Sequence, residues 1–278
     1  MNRNLRGRTF FSYAVLSLLL VFALYPILVL VFNSVKTAAD MALNPLGFPR
    51  SINLDNFVQA WVRGSFARTV PNTLLLVVGS VAGILVLGGP AAYSMSKLDL
   101  SRGAVNVLIV YLLVLQSLPI QLFLVPLFSF WLRLGLVNTH LGVILIYIAL
   151  GSPFSMFLMR SYFLQIPDDF RDAARVEGAG ELGIFWRIMV PLTWPAFLTV
   201  ALVNSMNIWN EFLIATVFLT KTEKFTVVTS YQAFTVRFGR DWTLTSAASL
   251  MMIFPIVAMF LALQRRFVQG LTQGGLKS

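Results

Sequence analysis

The sequence predicts an all-α membrane protein whose helices cross the bilayer six times. Of its 278 residues, 58% are hydrophobic and only 12% are charged, whereas soluble domains average about 25% charged residues. The mean hydropathy is correspondingly high, at +0.80. Charged residues also separate six apolar stretches, each long enough for a helix of about 20 residues, which is the length that spans a bilayer.

Each apolar stretch is assigned one span. In chain order the spans are predicted at Phe11–Phe32, Asn72–Met95, Ala104–Leu127, Asn138–Met159, Trp194–Val217 and Thr243–Leu263. The first is too long for the core of a signal peptide, and no small-residue cleavage site follows it, so we expect it to stay in the membrane. In the second, Gly79 and Gly83 have the spacing that lets a neighbouring helix approach closely. In the third, Pro119 weakens the helix at membrane depth.

Basic residues predict the orientation of the spans. Arg3, Arg6 and Arg8 precede the first span, and such clusters favour the cytoplasmic side. An even number of crossings then places the C-terminus, with Arg265 and Arg266, on the same side. The net charge of +10 fits contact with anionic lipid headgroups, because no basic stripe with interleaved aromatic residues predicts nucleic-acid binding.

Several kinds of chemistry are excluded or disfavoured by composition. The chain has no cysteine and a single histidine, His140, which excludes disulfides and thiolate metal sites and leaves little material for imidazole chemistry. It lacks a Gly-x-x-x-x-Gly-Lys-Ser/Thr loop that would cradle nucleotide phosphates. The spans carry no paired carboxylates and no nucleophile beside a base. We therefore expect no catalytic residue, metal site, nucleotide-binding site or cofactor in this chain.

The segment between the fourth and fifth spans, residues 160–193, carries the most informative pattern. Asp168 and Asp169 suit the positive N-terminal end of a helix that follows Pro167, and Gly178 suits its end. A second helical segment then continues to Pro191. The sequence thus predicts two short helices outside the membrane.

Each short helix has a distinct predicted surface. In the first, Phe170, Ala174 and Glu177 share one face with Ala173 beside them, so that another protein could approach closely. In the second, an apolar stripe is predicted to lie against the membrane domain. That stripe consists of Leu182, Phe185 and Met189.

This segment resembles the signature of permease subunits of bacterial ABC importers. The signature has Glu-Ala-Ala, three residues, Gly, nine residues, Ile, two residues and Pro. The residues at these spacings are Asp172, Ala173, Ala174, Gly178, Ile188 and Pro191. Asp172 replaces the usual Glu and Val190 the usual Leu, while Glu177 stands where relatives often carry Asp. Acidic character is therefore kept at both positions.

Other parts of the chain are similar to the carbohydrate-uptake group of these permeases, in the subunit type represented by the second maltose permease. The similar segments are Leu54–Phe57, Leu134–Thr139, Trp209–Phe212 and the tail Gln264–Lys277. We predict one transmembrane domain over residues 1–278, with a core at 68–265, a cytoplasmic coupling loop at 160–193 and a cytoplasmic tail at 264–278. The tail either reaches between two ATPase subunits or is a frayed terminus.

The resemblance implies a function and a set of partners. The chain would form half of the pathway for a sugar or sugar-like solute in the bacterial cytoplasmic (inner) membrane. Its partners would be a second permease, forming a heterodimer, two copies of an ABC ATPase that bind ATP and Mg, and an extracytoplasmic solute-binding protein. The residues implied to couple to the ATPase are Phe170, Asp172, Ala173, Ala174, Glu177, Gly178, Ile188 and Pro191.

Polar residues within the spans are candidates for lining the pathway. Glu211 is the only carboxylate inside a predicted span, where a charge is costly and often functional. Asn204 and Asn207 share a helix face with it. These groups can bond either sugar hydroxyls or neighbouring helices, and the sequence leaves both interpretations open. The candidates are Asn204, Asn207, Asn210 and Glu211 in the fifth span, with Gln116 and Gln121 around Pro119 in the third.

A second function class stays open at this level, namely an ion- or proton-coupled secondary transporter. Such a protein usually needs a relay of several charged groups inside the bilayer. Glu211 is a single carboxylate and gives little support for such a relay. The sequence does not choose among maltose-like oligosaccharides, trehalose, other glycosides and glycerol phosphates as the solute.

Overall fold

The computed structural model describes the backbone of residues 2–275 and the side chains of residues 11–262 and 264. Over this part the chain is helical and contains no strand. The helices are α1 (Asn2–Ser34), α2 (Ala38–Leu43), α3 (Asp55–Arg63), α4 (Phe66–Lys97), α5 (Arg102–Ser117), α6 (Leu124–Arg133), α7 (His140–Phe163), α8 (Asp169–Val176), α9 (Glu181–Ile184), α10 (Val190–Leu192), α11 (Trp194–Trp209), α12 (Leu213–Phe218), α13 (Val227–Phe238) and α14 (Trp242–Gly275). Short 3₁₀ turns occupy Ile120–Phe123 and Thr222–Lys224, and a π-helical turn occupies Phe185–Met189.

Four helices within the described residues are long and apolar enough to cross a membrane. They are α4, α7, the Phe11–Ser34 part of α1 and the Trp242–Ala262 part of α14. Two bent helix pairs are also long and apolar enough when each is taken as one span. Arg102–Ser117 with Ile120–Arg133 bends by 86°, and Glu181–Leu192 with Trp194–Trp209 bends by 77°. The structure therefore confirms a polytopic all-α membrane protein.

The prediction of one continuous third span over Ala104–Leu127 is wrong. Helix α5 ends at Ser117, and Leu118 has extended backbone angles, with φ −79° and ψ 131°. Pro119 explains the break, because proline disfavours helical angles in the residue before it and has no amide hydrogen to donate.

The predicted fifth span, Trp194–Val217, is also interrupted. Helix α11 ends at Trp209, and α12 begins at Leu213. The three residues between them include Glu211, whose carboxylate bonds to backbone amides of α12. The first amides of a helix have no backbone acceptor, and the Glu211 carboxylate supplies one here.

The chain forms two compact units by contact, Met1–Ala67 with Ser230–Pro255 and Arg68–Thr229 with Ile256–Ser278. In the first, Asn56 donates hydrogen bonds to the carbonyls of Ser34 (2.9 Å) and Lys36 (2.8 Å). The ammonium of Lys36 is fully buried and donates to Asn33 Oδ1 at 2.9 Å. The segment Leu54–Phe57 therefore holds the end of α1 through its asparagine. The side chains of Arg3, Arg6, Arg8, Arg265 and Arg266, and the end of the tail at 276–278, lie outside the described residues.

The second unit is built on close packing between α4 and α7. A Cβ atom at Gly79 would lie 2.8 Å from Ile144 Cδ1, and one at Gly83 would also collide with Ile148. The predicted close approach at these glycines is confirmed. A buried aromatic cluster continues this packing towards the loop, with Tyr93 and Phe185 ring centroids 5.4 Å apart and Phe163 in contact with both rings.

Candidate functional site

Helix α8 in the loop has well-defined ends. At its start, the amides of Arg171 and Asp172 donate to the Asp168 carbonyl at 2.8 and 2.9 Å. At its end, Gly178 has φ +84°, and the amide of Ala179 donates to the Ala174 carbonyl at 2.9 Å. This is the hydrogen-bond pattern of a helix stop that favours glycine, because a left-handed residue with a side chain is disfavoured. The predicted helix end at Gly178 is confirmed.

The exposed face of α8 differs in one residue from the prediction. Phe170, Ala173 and Glu177 are exposed and have the i, i+3, i+7 spacing of one helix face. Ala174 is buried, with 7% of its surface accessible, so it faces the protein rather than a partner. Asp172 is also exposed. The available surface on this face is therefore an aromatic ring, a small residue and the Glu177 carboxylate, which we call the loop face, and the Asp172 carboxylate is exposed on another side of the helix.

The start of the loop helix is held by Lys97, the last residue of α4. Its ammonium donates to the Ile166 carbonyl at 2.6 Å and to Asp168 Oδ1 at 2.9 Å, and its side chain is only 5% exposed. The hydrogen bond from Lys97 lowers the pKa of the Asp168 carboxyl. The contact is therefore complete at neutral pH and is lost only as the pH falls through that lowered pKa.

The end of the loop helix is held by a second set of contacts. Tyr93 donates its hydroxyl hydrogen to Glu181 Oε2 at 2.6 Å, and Arg175 Nε donates to Glu181 Oε1 at 2.9 Å. Tyr93 and Lys97 are four residues apart and so lie one turn apart on α4. The same end of α4 therefore holds both ends of α8, an arrangement that we call the two-point anchor.

The second loop segment is less regular than predicted. Phe185 and Met189 are buried as expected, but Leu182 is 72% exposed. The assumed regular stripe fails because α9 is only four residues long and a π-helical turn follows it, which changes the angular spacing of the side chains. Of the two signature residues here, Ile188 is half-buried and Pro191 is exposed at the start of α10.

The candidate pathway residues separate into two groups. Asn204 is buried and donates to Ser155 Oγ at 2.9 Å and to the Val200 carbonyl at 2.8 Å, so its amide joins α11 to α7. The remaining amides are exposed. They are those of Asn207, Asn210, Gln116 and Gln121.

Glu211 is occupied by contacts within the chain. Its Oε1 accepts from the amide of Ile214 at 2.8 Å, and its Oε2 accepts from the amide of Ala215 at 3.0 Å and from the Tyr147 hydroxyl at 2.6 Å. Three donors thus stabilise the carboxylate, and they connect the helix break to α7. No cluster of three or more His, Asp or Glu side chains suited to a metal ion occurs in the described part of the chain.

Comparison with known proteins gives consistent matches. A family model described as the binding-protein-dependent transport system inner membrane component matches residues 84–273. The arabinooligosaccharides transport system permease protein AraQ of Halalkalibacterium halodurans is 31% identical over 259 residues, covering 92% of this chain and 91% of that protein. The melibiose/raffinose/stachyose import permease protein MelC of Bacillus subtilis (strain 168) is 32% identical over 254 residues, covering 91% of each chain.

A solved structure shares the fold. It is the crystal structure of a bacterial ABC transporter involved in the import of the acidic polysaccharide alginate. One of its chains superposes with a TM-score of 0.83 at 24% identity, and the match covers 96% of this chain and 99% of that chain. The chain therefore shares the fold of a chain of that transporter.

Proposed function

The chain belongs to the family of binding-protein-dependent transport system inner membrane components, and we propose that it forms half of the translocation pathway of an ATP-driven sugar importer. It is a transport subunit of the inner membrane and not an enzyme. The main support for the proposal is the exposure of the loop face. Phe170 and Ala173 are exposed on a helix that begins and ends sharply and is held at both ends.

The loop face would be the contact surface for an ABC ATPase. Phe170 has 49% of its surface exposed, and an aromatic ring beside a small residue is suited to insertion into a groove of another protein. ATP and Mg would bind to that partner. Because the loop helix is anchored on α4 through Tyr93 and Lys97, closure of the ATPase would move α4 with it. ATP binding then favours one membrane conformation through different contacts at the loop face.

The membrane arrangement that we propose has six crossings and both termini in the cytoplasm. Four crossings are single helices, and the bent pair Arg102–Ser117 with Ile120–Arg133 makes a fifth. The sixth is made by Trp194–Trp209 with α12 after it, so that Glu181–Leu192 stays in the cytoplasmic loop. This arrangement places α8 on the side of an intracellular ATPase. Although the chain has two compact units by contact, we propose that residues 1–278 act as one membrane domain.

The family description states dependence on a binding protein, which supports one of the further partners. We propose a second permease that completes the pathway as a heterodimer, two copies of the ATPase subunit, and a solute-binding protein on the outer side. The long apolar surface of α1, which is exposed over Phe11–Leu28, is available to lipid or to the second permease.

A saccharide is the solute class that we propose. The relatives carry arabinooligosaccharides, melibiose, raffinose or stachyose in their names, and the exposed amides of Asn207 and Asn210 can both donate to and accept from hydroxyl groups. Gln116 and Gln121, exposed beside the bend at Pro119, are further candidates. Asn204 and Glu211 are not, because Asn204 is buried and the Glu211 carboxylate already accepts three hydrogen bonds within the chain.

The test is purification of the tagged full chain from its host membrane in mild detergent, followed by reconstitution into vesicles. We expect a second permease and an ABC ATPase to copurify with the chain. We also expect saccharide uptake to require ATP and the binding protein. Uptake that follows an imposed ion or proton gradient without ATP would contradict the proposal and favour the secondary-transporter class.

A further inference from the structure

Beside the loop helix, the ends of three apolar helices surround a cavity of about 460 Å³. The last turn of α4, the first turn of α5, the end of α7 and the start of α8 all contribute to its wall. The charged residues of the wall are Lys97, Arg102, Arg160 and Arg171, with Asp99 and Asp168. Four cations face two carboxylates, so the cavity has an excess of two positive charges.

Among these cations, Arg171 is the one that is buried with unpartnered donor atoms. The residue is only 9% exposed, and its Nε and Nη1 atoms have no hydrogen-bond partner among the described residues. Its nearest counter-charge is Asp172 Oδ1, 4.0 Å from Nε. By contrast, Lys97 is paired with Asp168, and Arg160 donates to the Met95 carbonyl at 3.3 Å. A buried guanidinium with unused donors is costly unless an acceptor is supplied.

The start of α5 also borders the cavity, through Arg102 and Val105. Ser101 precedes the helix without a side-chain hydrogen bond to its amides, so the first amides lack the usual cap. An anion beside Arg102 would benefit from the helix dipole and the Arg102 guanidinium together.

We propose that this cavity binds the phosphate of an anionic lipid headgroup. A phosphate oxygen can accept from planar guanidinium groups in the paired geometry that they favour, and Arg171 and Arg102 supply two such groups. Leu100 and Val105 in the same wall are suited to the glycerol backbone and the first methylene groups. The position also fits, because the cavity lies at the ends of helices long enough to span the membrane, where the headgroups of a bilayer are located.

This inference is independent of the solute and of the ATPase. A carboxylate from a partner protein or a soluble phosphate would satisfy the same donors, but neither accounts for the apolar part of the wall. If a lipid phosphate binds here, it contacts Arg171 in the first turn of α8. The lipid would then help to fix the start of the loop helix together with Lys97.

The experiment uses the purified full chain in nanodiscs that contain phosphatidylcholine with a minority of phosphatidylglycerol. Native mass spectrometry counts the lipids retained per chain. We expect phosphatidylglycerol to be retained in preference to phosphatidylcholine, and Arg171→Gln to lower that retention about fivefold, the effect expected for one basic residue near an anionic surface. Arg187→Gln is the matched control, because Arg187 is exposed in the same loop but does not line the cavity.

Each outcome decides the proposal. Equal retention of both lipids, or equal losses in Arg171→Gln and Arg187→Gln, overturns it. Binding of inorganic phosphate to the chain in pure phosphatidylcholine nanodiscs, without enrichment of phosphatidylglycerol, assigns the cavity to a soluble phosphate instead. Loss of ATPase copurification in Arg171→Gln without any change in lipid retention assigns it to a partner carboxylate. If Arg171→Gln does not fold, the exposed Arg102→Gln carries the same test.

Discussion

The loop helix α8 and the helix break around Glu211 both place acidic residues beside a helix end, but they use them in opposite ways. At the break, Glu211 accepts hydrogen bonds from two amides and from Tyr147, so its carboxylate is occupied. On α8, Asp172 and Glu177 are exposed, and the contacts that hold the helix involve other residues, Asp168 and Glu181. The first arrangement maintains the fold, whereas the second leaves the Asp172 and Glu177 carboxylates exposed on a helix that is held at both ends.

Within the loop, the residues that anchor α8 differ from the residues that are proposed to contact a partner. The residues that anchor α8 face α4, and the residues of the loop face point away from it. A change in an anchor should therefore alter the position of the loop face without removing it. A change at the helix break should instead lower the stability of the membrane domain.

The largest effect is expected for Gly178→Leu. A residue with a side chain at φ +84° costs about 1–2 kcal/mol, so the helix stop would shift and misplace the loop face. We expect ATP-driven uptake to fall about five- to thirtyfold, the factors to which that penalty corresponds, while the chain still inserts into the membrane. Uptake into vesicles containing the assembled transporter measures this.

Gly180→Leu is the matched control for Gly178→Leu. A Cβ atom at either glycine would meet no neighbouring atom within 4 Å, but Gly180 has φ −75°, which any residue adopts. The control should keep most of the uptake. Equal losses in the two variants would show that bulk in the loop matters and that the helix stop does not.

A smaller effect, on stability, is expected for Glu211→Ala. The substitution leaves two amides and the Tyr147 hydroxyl without their acceptor, and loss of a helix cap costs about 0.5–2 kcal/mol. We expect a lower unfolding temperature of the purified chain in detergent. The matched variant Asn210→Ala should leave it nearly unchanged, because Asn210 is exposed and bonds only within its own helix. Normal stability with abolished uptake would instead place Glu211 in the pathway.

The smallest effect is expected for Tyr93→Phe, which removes one hydroxyl from the two-point anchor. A single hydrogen bond contributes about 1 kcal/mol, so we expect the stimulation of ATPase activity by the loaded binding protein to fall several-fold, with basal hydrolysis retained. In a Glu181→Ala background Tyr93→Phe should have almost no further effect, because the acceptor of the Tyr93 hydroxyl is then already absent. Fully additive losses in the double variant would contradict the anchor.

Local signals in the sequence predicted one helix end and one close helix packing. They did not predict contacts between residues far apart in the chain. Gly178 predicted its own helix stop, and Gly79 with Gly83 predicted the close packing of two helices. The contact of Tyr93 with Glu181 joins residues 88 positions apart, and nothing in the local pattern pairs them. The burial of Ala174 depends likewise on the side of α8 that faces the protein, which the anchors decide.

The two helix breaks, at Pro119 and after Trp209, were not equally predictable from the sequence. Pro119 predicted weakness in the third span, but not that the chain would turn by 86° there. The break after Trp209 has no proline. Its polar residues suggested a solute pathway, because a carboxylate at membrane depth is often functional, whereas the structure gives Glu211 three partners within the chain. Composition alone does not distinguish a satisfied carboxylate from a free one.

The loop face of α8 is proposed to contact an ATPase, and cysteine cross-linking tests this contact most directly. The chain has no cysteine, so Ala173→Cys and Ala174→Cys each introduce the only thiol, one exposed and one buried. We expect a short bifunctional reagent to join Ala173→Cys to the ATPase subunit in the assembled transporter and to leave Ala174→Cys unreacted. Cross-linking of Ala173→Cys only to lipid-facing or external partners, with none to the ATPase, would contradict the claim.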